Sequence, residues 1–176
     1  ICACLVGSEM CIRDSMLDAL IQSQGPRLFG LCCRLCRSRG EAEDLYQETL
    51  LKGLEQQERL LAAENPGAYL TRICVNLYRD WARRRKLLSF ISMEDAPPPN
   101  LHGQFSTAGP EESLEQSLVR QAVDTLPEPY RQTVLLYYFC DQSIQQAAAA
   151  LGVRPGTVKS RLGRGREMLK EVLKDG

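Results

Sequence analysis

A chain of 176 residues with 22 Lys/Arg and 22 Asp/Glu suits one large domain or two small ones. No apolar run approaches the ~20 residues that a membrane-crossing helix needs. Zero net charge argues at first against a polyanionic partner, but the charges are segregated. Residues 16–90 hold twelve basic against nine acidic side chains, residues 91–125 one against six, and residues 126–176 eight against five. Two basic blocks flank an acidic connector, and local field decides whether phosphates are attracted.

The first fifteen residues, ICACLVGSEMCIRDS, hold Cys2, Cys4 and Cys11 but lack the charged start and apolar core of a signal peptide. They read as a non-native leader, with the native start at or before Met16. Five further cysteines remain at 32, 33, 36, 74 and 140. Cys33-x-x-Cys36 is half of a zinc or redox spacing, but no second pair follows, and the only histidine is His102. Cys32 and Cys36 lie one helical turn apart beside Leu28, Leu31 and Leu35, so small buried apolar residues are the better reading. A reducing, cytoplasmic compartment fits, and no metal, cofactor or catalytic group is expected.

Leu17, Leu20, Ile21, Leu28, Leu31, Cys32 and Leu35 recur at helical spacing and predict a helix over 16–36, interrupted or bent near Gly25-Pro26. Gly40 breaks the chain. A second helix is expected over 41–54, with Leu45, Leu50, Leu51 and Leu54 inward and Glu41, Asp44, Gln47 and Glu48 outward. Residues 55–66 form a variable segment ending at the helix-start signal Asn65-Pro66. A third helix over 67–86 turns Leu70, Ile73, Cys74, Leu77 and Trp81 toward the core. Tyr69, Arg72, Asn76, Arg79 and Arg83 share its other side. Basic residues favour helix C-termini, but that preference leaves Arg72 and Arg79 unexplained. Stacking aromatic, amide and arginine together are what a surface for unpaired nucleic acid requires.

Residues 91–110, with Pro97-Pro98-Pro99 and Gly109-Pro110, form a flexible linker. Helices resume over 111–125 and 128–140. The stretch 143–166, SIQQAAAALGVRPGTVKSRLGRGR, then predicts a helix-turn-helix. Ser143 and Gln146 form a capping box, Gly152 suits a left-handed stop, and Pro155 is pre-set for a first helical turn. Val158, Leu162, Leu169 and Val172, with Gly165 between, face inward. Lys159, Ser160, Gly163 and Arg164 face out, the surface that enters a major groove. The fold class is therefore all-α: two small helical domains joined by a flexible linker, the C-terminal one a helix-turn-helix.

The order of these parts resembles the bacterial RNA polymerase sigma factors of the extracytoplasmic-function group. The resemblance is carried by EAEDLYQETLLKGL (41–54), NPGAYLTRICVNLYRDWARRRK (65–86), LPEPYRQTVLL (126–136) and GTVKSRLGRGR (156–166). It implies sigma region 2 over 16–90, the linker, and sigma region 4 over 111–176. Asp44, Gln47 and Glu48 would then dock on the clamp of the largest polymerase subunit, and other contacts would reach the flap. Tyr69, Arg72, Asn76, Arg79 and Arg83 would read the −10 element as a separated strand, Asn76 lining a pocket for an everted base. Thr157, Lys159, Ser160, Arg161, Arg164 and Arg166 would engage the −35 duplex. Promoter DNA and polymerase core are the implied partners, and an anti-sigma factor is a further family-level expectation.

Gly163 and Gly165 depart from the family pattern, which has a larger residue and alanine there. Each costs roughly 1 kcal/mol of helix propensity relative to Ala. A conventional helix-turn-helix regulator remains the alternative, although it usually needs a dimer to read two half-sites. A thiol enzyme lacks a partnered His or acid at recognisable spacing.

Overall fold

The computed structural model describes residues 2–91 and 114–174, with side chains described for 15–87 and 118–174. All regular structure among the described residues is helical. Helix α1 spans Cys2–Leu35, longer than expected at its start and continuous through Pro26. One lost amide donor does not break a helix anchored on both sides by buried Leu17, Leu28, Leu31 and Leu35. The chain turns at residues 36–38, and Gly40 already lies inside α2, Arg39–Glu55. Ser38 caps α2 by accepting from the Glu41 amide at 3.1 Å.

The variable segment contains a short helix, α3 (Gln57–Leu61), whose Leu60 is buried. Helix α4, Pro66–Ile91, then crosses both α1 and α2. Leu70, Cys74 and Leu77 enter the core as the periodicity requires, with Ile73 and Trp81 partly buried. Val75 and Tyr78 are buried as well, because α4 also packs on α7 of the second half. A helix covered on two sides needs a wider apolar stripe than a surface helix.

The expected linker lies almost wholly at residues 92–110, outside the described residues. Helix α5, Leu114–Asp124, leads to α6, Glu128–Val134, which continues as a π-helical turn over Leu135–Phe139. Helices α7 (Ile144–Leu151) and α8 (Pro155–Lys174) complete the chain. Ser143 and Gln146 form the reciprocal capping box, and Gly152 stops α7 at φ 62°. A side chain there would be strained, so the sharp turn into α8 needs glycine.

Val158, Leu162 and Gly165 of α8 are buried, and Leu169 is partly so. Val172, read as inward, is 41% exposed because the last turns of α8 leave the core. The two departing glycines differ physically. A Cβ at Gly165 would meet Val134 at 3.2 Å, whereas one at Gly163 would enter open space.

One hydrophobic cluster runs through both halves, from Leu31 and Leu45 to Leu136, Leu151 and Leu162. Cys32, Cys33, Cys36, Cys74 and Cys140 are all buried. Cys32 and Cys74 bring their sulfurs to 3.6 Å. That hydrogen bond and burial raise the Cys32 pKa, and burial raises those of Cys36 and Cys140 to about 12. These thiols stay protonated and behave as apolar packing. Among the described residues no His/Cys/Asp/Glu group is arranged to hold a metal ion, and no helix is long and apolar enough to cross a membrane.

Candidate nucleic-acid interface

Helices α2, α3 and α4 enclose an open cavity of about 400 Å³. Tyr69, Arg72 and Asn76 of α4 line it, as their shared row leads one to expect, together with Ile73, Leu77 and Asp80. The facing wall comes from Lys52, Gln56 and Arg59, three residues that periodicity alone does not single out. Their signal is weak, because Gln56 falls between two helices and Arg59 lies on a helix of five residues. Tyr69 donates its hydroxyl to Gln56 Oε1 at 2.7 Å, tying the walls together. Lys52, Arg59 and Arg72 against Asp80 leave the cavity net cationic, with an apolar floor at Ile73 and Leu77.

Arg79 and Arg83 do not join this cavity. Arg83 pairs with Asp80 at 3.2 Å on the exposed side of α4. Arg79 points the other way and donates Nη1 to the Leu151 carbonyl at 2.7 Å. The row is thus split: three members line the cavity, one lies at its edge, and one reaches the second half.

The acidic side of α2 is also divided. Asp44 and Gln47 are exposed, and Leu51 (60%) and Leu54 (43%) continue the uncovered surface along the helix. Glu48 is only half-exposed and accepts from Trp81 Nε1 at 3.1 Å. Glu41, read as part of the outer side, serves the architecture: it accepts from the Arg37 amide at 3.0 Å and pairs with Arg85 at 3.2 Å.

On α8, Lys159, Ser160, Arg164 and Arg166 are exposed, while Thr157 and Arg161 are half-buried. Ser160 donates to the Thr157 carbonyl at 3.0 Å, and Arg164 pairs with Glu167 at 3.1 Å across one turn. Both interactions are solvent-facing and give way readily to another partner.

The architecture is that of a bipartite helical transcription factor, a cavity-bearing four-helix half followed by a helix-turn-helix half. The Sigma-70 region 2 family matches residues 20–87, and Sigma-70 region 4 matches residues 116–169. The ECF RNA polymerase sigma factor EcfG of Rhodopseudomonas palustris is 33% identical over 93% of this chain and 88% of its own. The ECF sigma factor SigE of Mycolicibacterium smegmatis is 32% identical over 89% of this chain, which spans 61% of that relative's length. Among solved structures, the Bartonella quintana sigma factor RpoE, in complex with the anti-sigma factor NepR, is similar. It superposes with a TM-score of 0.78 at 27% identity, covering 89% of this chain and 96% of that one. The chain belongs to the extracytoplasmic-function group of RNA polymerase sigma factors.

Proposed function

We propose that this sigma factor docks on the polymerase core through α2, holds the separated −10 strand in the α2–α3–α4 cavity, and reads the −35 duplex with α8. The observation that carries the reading is the cavity itself. It combines an apolar floor, one aromatic ring, two side-chain amides and three cations in a space that takes one unstacked base. An everted base needs that combination: stacking on Tyr69, hydrogen bonding from Asn76 and Gln56, and phosphate charge met by Lys52, Arg59 and Arg72. With Oε1 committed to Tyr69, Gln56 Nε2 has donor capacity for a base edge. Arg83 meets the phosphates just outside.

Asp44 and Gln47, beside exposed Leu51 and Leu54, offer the clamp an acidic surface with an apolar edge, and Glu48 is held at its margin by Trp81. On α8, Lys159, Ser160 and Arg164 address base edges and phosphates from the major groove. Thr157, Arg161 and Arg166 touch the flanking backbone. The flap provides a second polymerase contact on the C-terminal half. The factor supplies binding free energy and no reacting group, and works in the cytoplasm with polymerase. An anti-sigma factor, the partner of the similar RpoE, is its expected antagonist.

Transcription in vitro with core polymerase and a promoter library tests the scheme. Initiation from a defined promoter subset is expected, abolished by Asn76→Ala with Gln56→Ala on duplex templates and partly restored on templates melted beforehand. Failure to bind core, or equal activity on both templates in that double variant, overturns it.

A further inference from the structure

Cys32 of α1 and Cys74 of α4 are fully buried where the two helices pack, and their sulfurs stand 3.6 Å apart. Among the described residues no other two sulfurs share a hydrogen bond, although Cys33, Cys36 and Cys140 are buried too. Cys33 and Cys36, which carry the spacing of a redox motif, are thus not the pair that the fold brings together. A disulfide holds its sulfurs about 2.05 Å apart, so an approach of about 1.5 Å separates this contact from a bond. Rotation of the two side chains can supply it.

On α4, Arg72 and Asn76 lie two positions either side of Cys74, about 160° round the axis from it. The sulfur therefore faces α1 while the cavity row faces the other way. A bond formed there joins α1 to α4 across the core and adds no atom to the nucleic-acid wall.

We propose that Cys32 and Cys74 are an oxidation site: hydrogen peroxide converts them to a disulfide that braces the first half and leaves the single-strand cavity working. In the first step one sulfur attacks the peroxide O–O bond and its proton goes to the departing oxygen, giving a sulfenic acid and one water. The second sulfur then displaces the sulfenic oxygen, which leaves as water with the second thiol proton, and the S–S bond closes. Two electrons pass from the sulfurs to the peroxide oxygens. Both sulfurs are shut off from solvent, so the first attack waits on a local opening of the core, and the site answers sustained oxidant rather than a brief pulse. The link joins positions 42 apart and removes freedom from the unfolded chain. Continued competence of the cavity rests on the −10 reading of α4; the link and its stabilising effect do not.

In the test, the full reduced chain is incubated with hydrogen peroxide at neutral pH, free thiols are blocked, and peptides are mapped by mass spectrometry. A Cys32–Cys74 peptide pair that lacks two hydrogens and is separated by dithiothreitol is expected. The melting temperature should rise by roughly 10 °C, as closing a loop of this length implies. Affinity for a pool of short random-sequence single-stranded DNA should stay unchanged. Cys74→Ala should show neither link nor shift, and Cys33→Ala with Cys36→Ala should keep both. Treated protein in which a Cys33–Cys36 link or sulfinic acids replace the Cys32–Cys74 link overturns the site. A link without a rise in melting temperature overturns the brace, and one that abolishes DNA binding overturns the sparing of the cavity. A reduced chain that binds no single strand faults the −10 reading instead, with the link still decided by the peptide map.

Discussion

The indole of Trp81 reaches across from α4 and donates to the Glu48 carboxylate of α2 at 3.1 Å. Glu48 is therefore both a candidate polymerase contact and a brace between two core helices. Asp44→Lys, on an exposed side chain, is expected to weaken core binding at least tenfold, about 1.4 kcal/mol, with an unchanged melting temperature. Glu48→Lys should lower both, since a hydrogen bond to a charged group contributes about 1.5–3 kcal/mol. Thermal melts run beside polymerase co-elution check the split.

On the cavity, Tyr69→Phe keeps the ring but removes the bond to Gln56. It should retain most single-strand affinity and lose discrimination among bases. Tyr69→Ala should lose about 1–3 kcal/mol of affinity, the usual contribution of one stacked base. Fluorescence anisotropy with oligonucleotides varied at one position separates the two effects.

Lys159→Ala and Arg164→Ala are expected to weaken −35 duplex binding while leaving core binding intact. If the side chain neutralises a phosphate, its removal lowers the salt slope of binding by about 1; if it reads a base, sequence preference changes at one position. Arg164 must leave Glu167 to bind, so Glu167→Gln should raise duplex affinity slightly. Titrations at several salt concentrations decide.

Gly163→Ala should stabilise the protein by about 1 kcal/mol, because its Cβ meets nothing within 4 Å and α8 gains helix propensity. The larger Gly165→Val should destabilise it, because Val134 already stands 3.2 Å from the position of the first added carbon. Urea unfolding of both variants provides the comparison.

Burial holds Cys36 and Cys140 at about 12, against an ordinary 9.0. Above pH 9 the unfolded chain releases these protons and the folded chain keeps them. The thiols' stabilising contribution is therefore complete below about pH 9 and is lost as pH rises toward 12. The urea midpoint at about pH 10 should fall below that near neutrality, and alanine at both positions should lessen the difference, leaving the share that Cys32 contributes.

Local signals were legible in the sequence because their partners lie a few residues away. Ser143 with Gln146, Gly152 and Pro155 outlined the helix-turn-helix, and the spacing of Tyr69, Arg72 and Asn76 anticipated one cavity wall. Features set at long range were not. Arg79 shares a helical period with Asn76, yet its partner is 72 residues away. Glu41 looked like one more acidic surface residue until Arg85 and the Arg37 amide claimed it. Arg131 gave no sign of burial: periodicity is silent about a cation neutralised by Glu128 at 2.8 Å and by helix-end carbonyls. Burial would raise the Glu128 pKa, but Arg131 and the hydrogen bonds of Gln132, Arg131 and Tyr78 together lower it.

The carbonyl of Arg34 receives its guanidinium donor from a residue 97 positions further along the chain. Translation runs from the N-terminus, so the first half leaves the ribosome with that helix end facing water, several seconds before its donor at ~5–20 residues per second. For that interval the newborn segment rests on the packing of α1, α2 and α4 alone. The terminal carbonyls of α1 thus find their buried donor only after most of the chain has emerged.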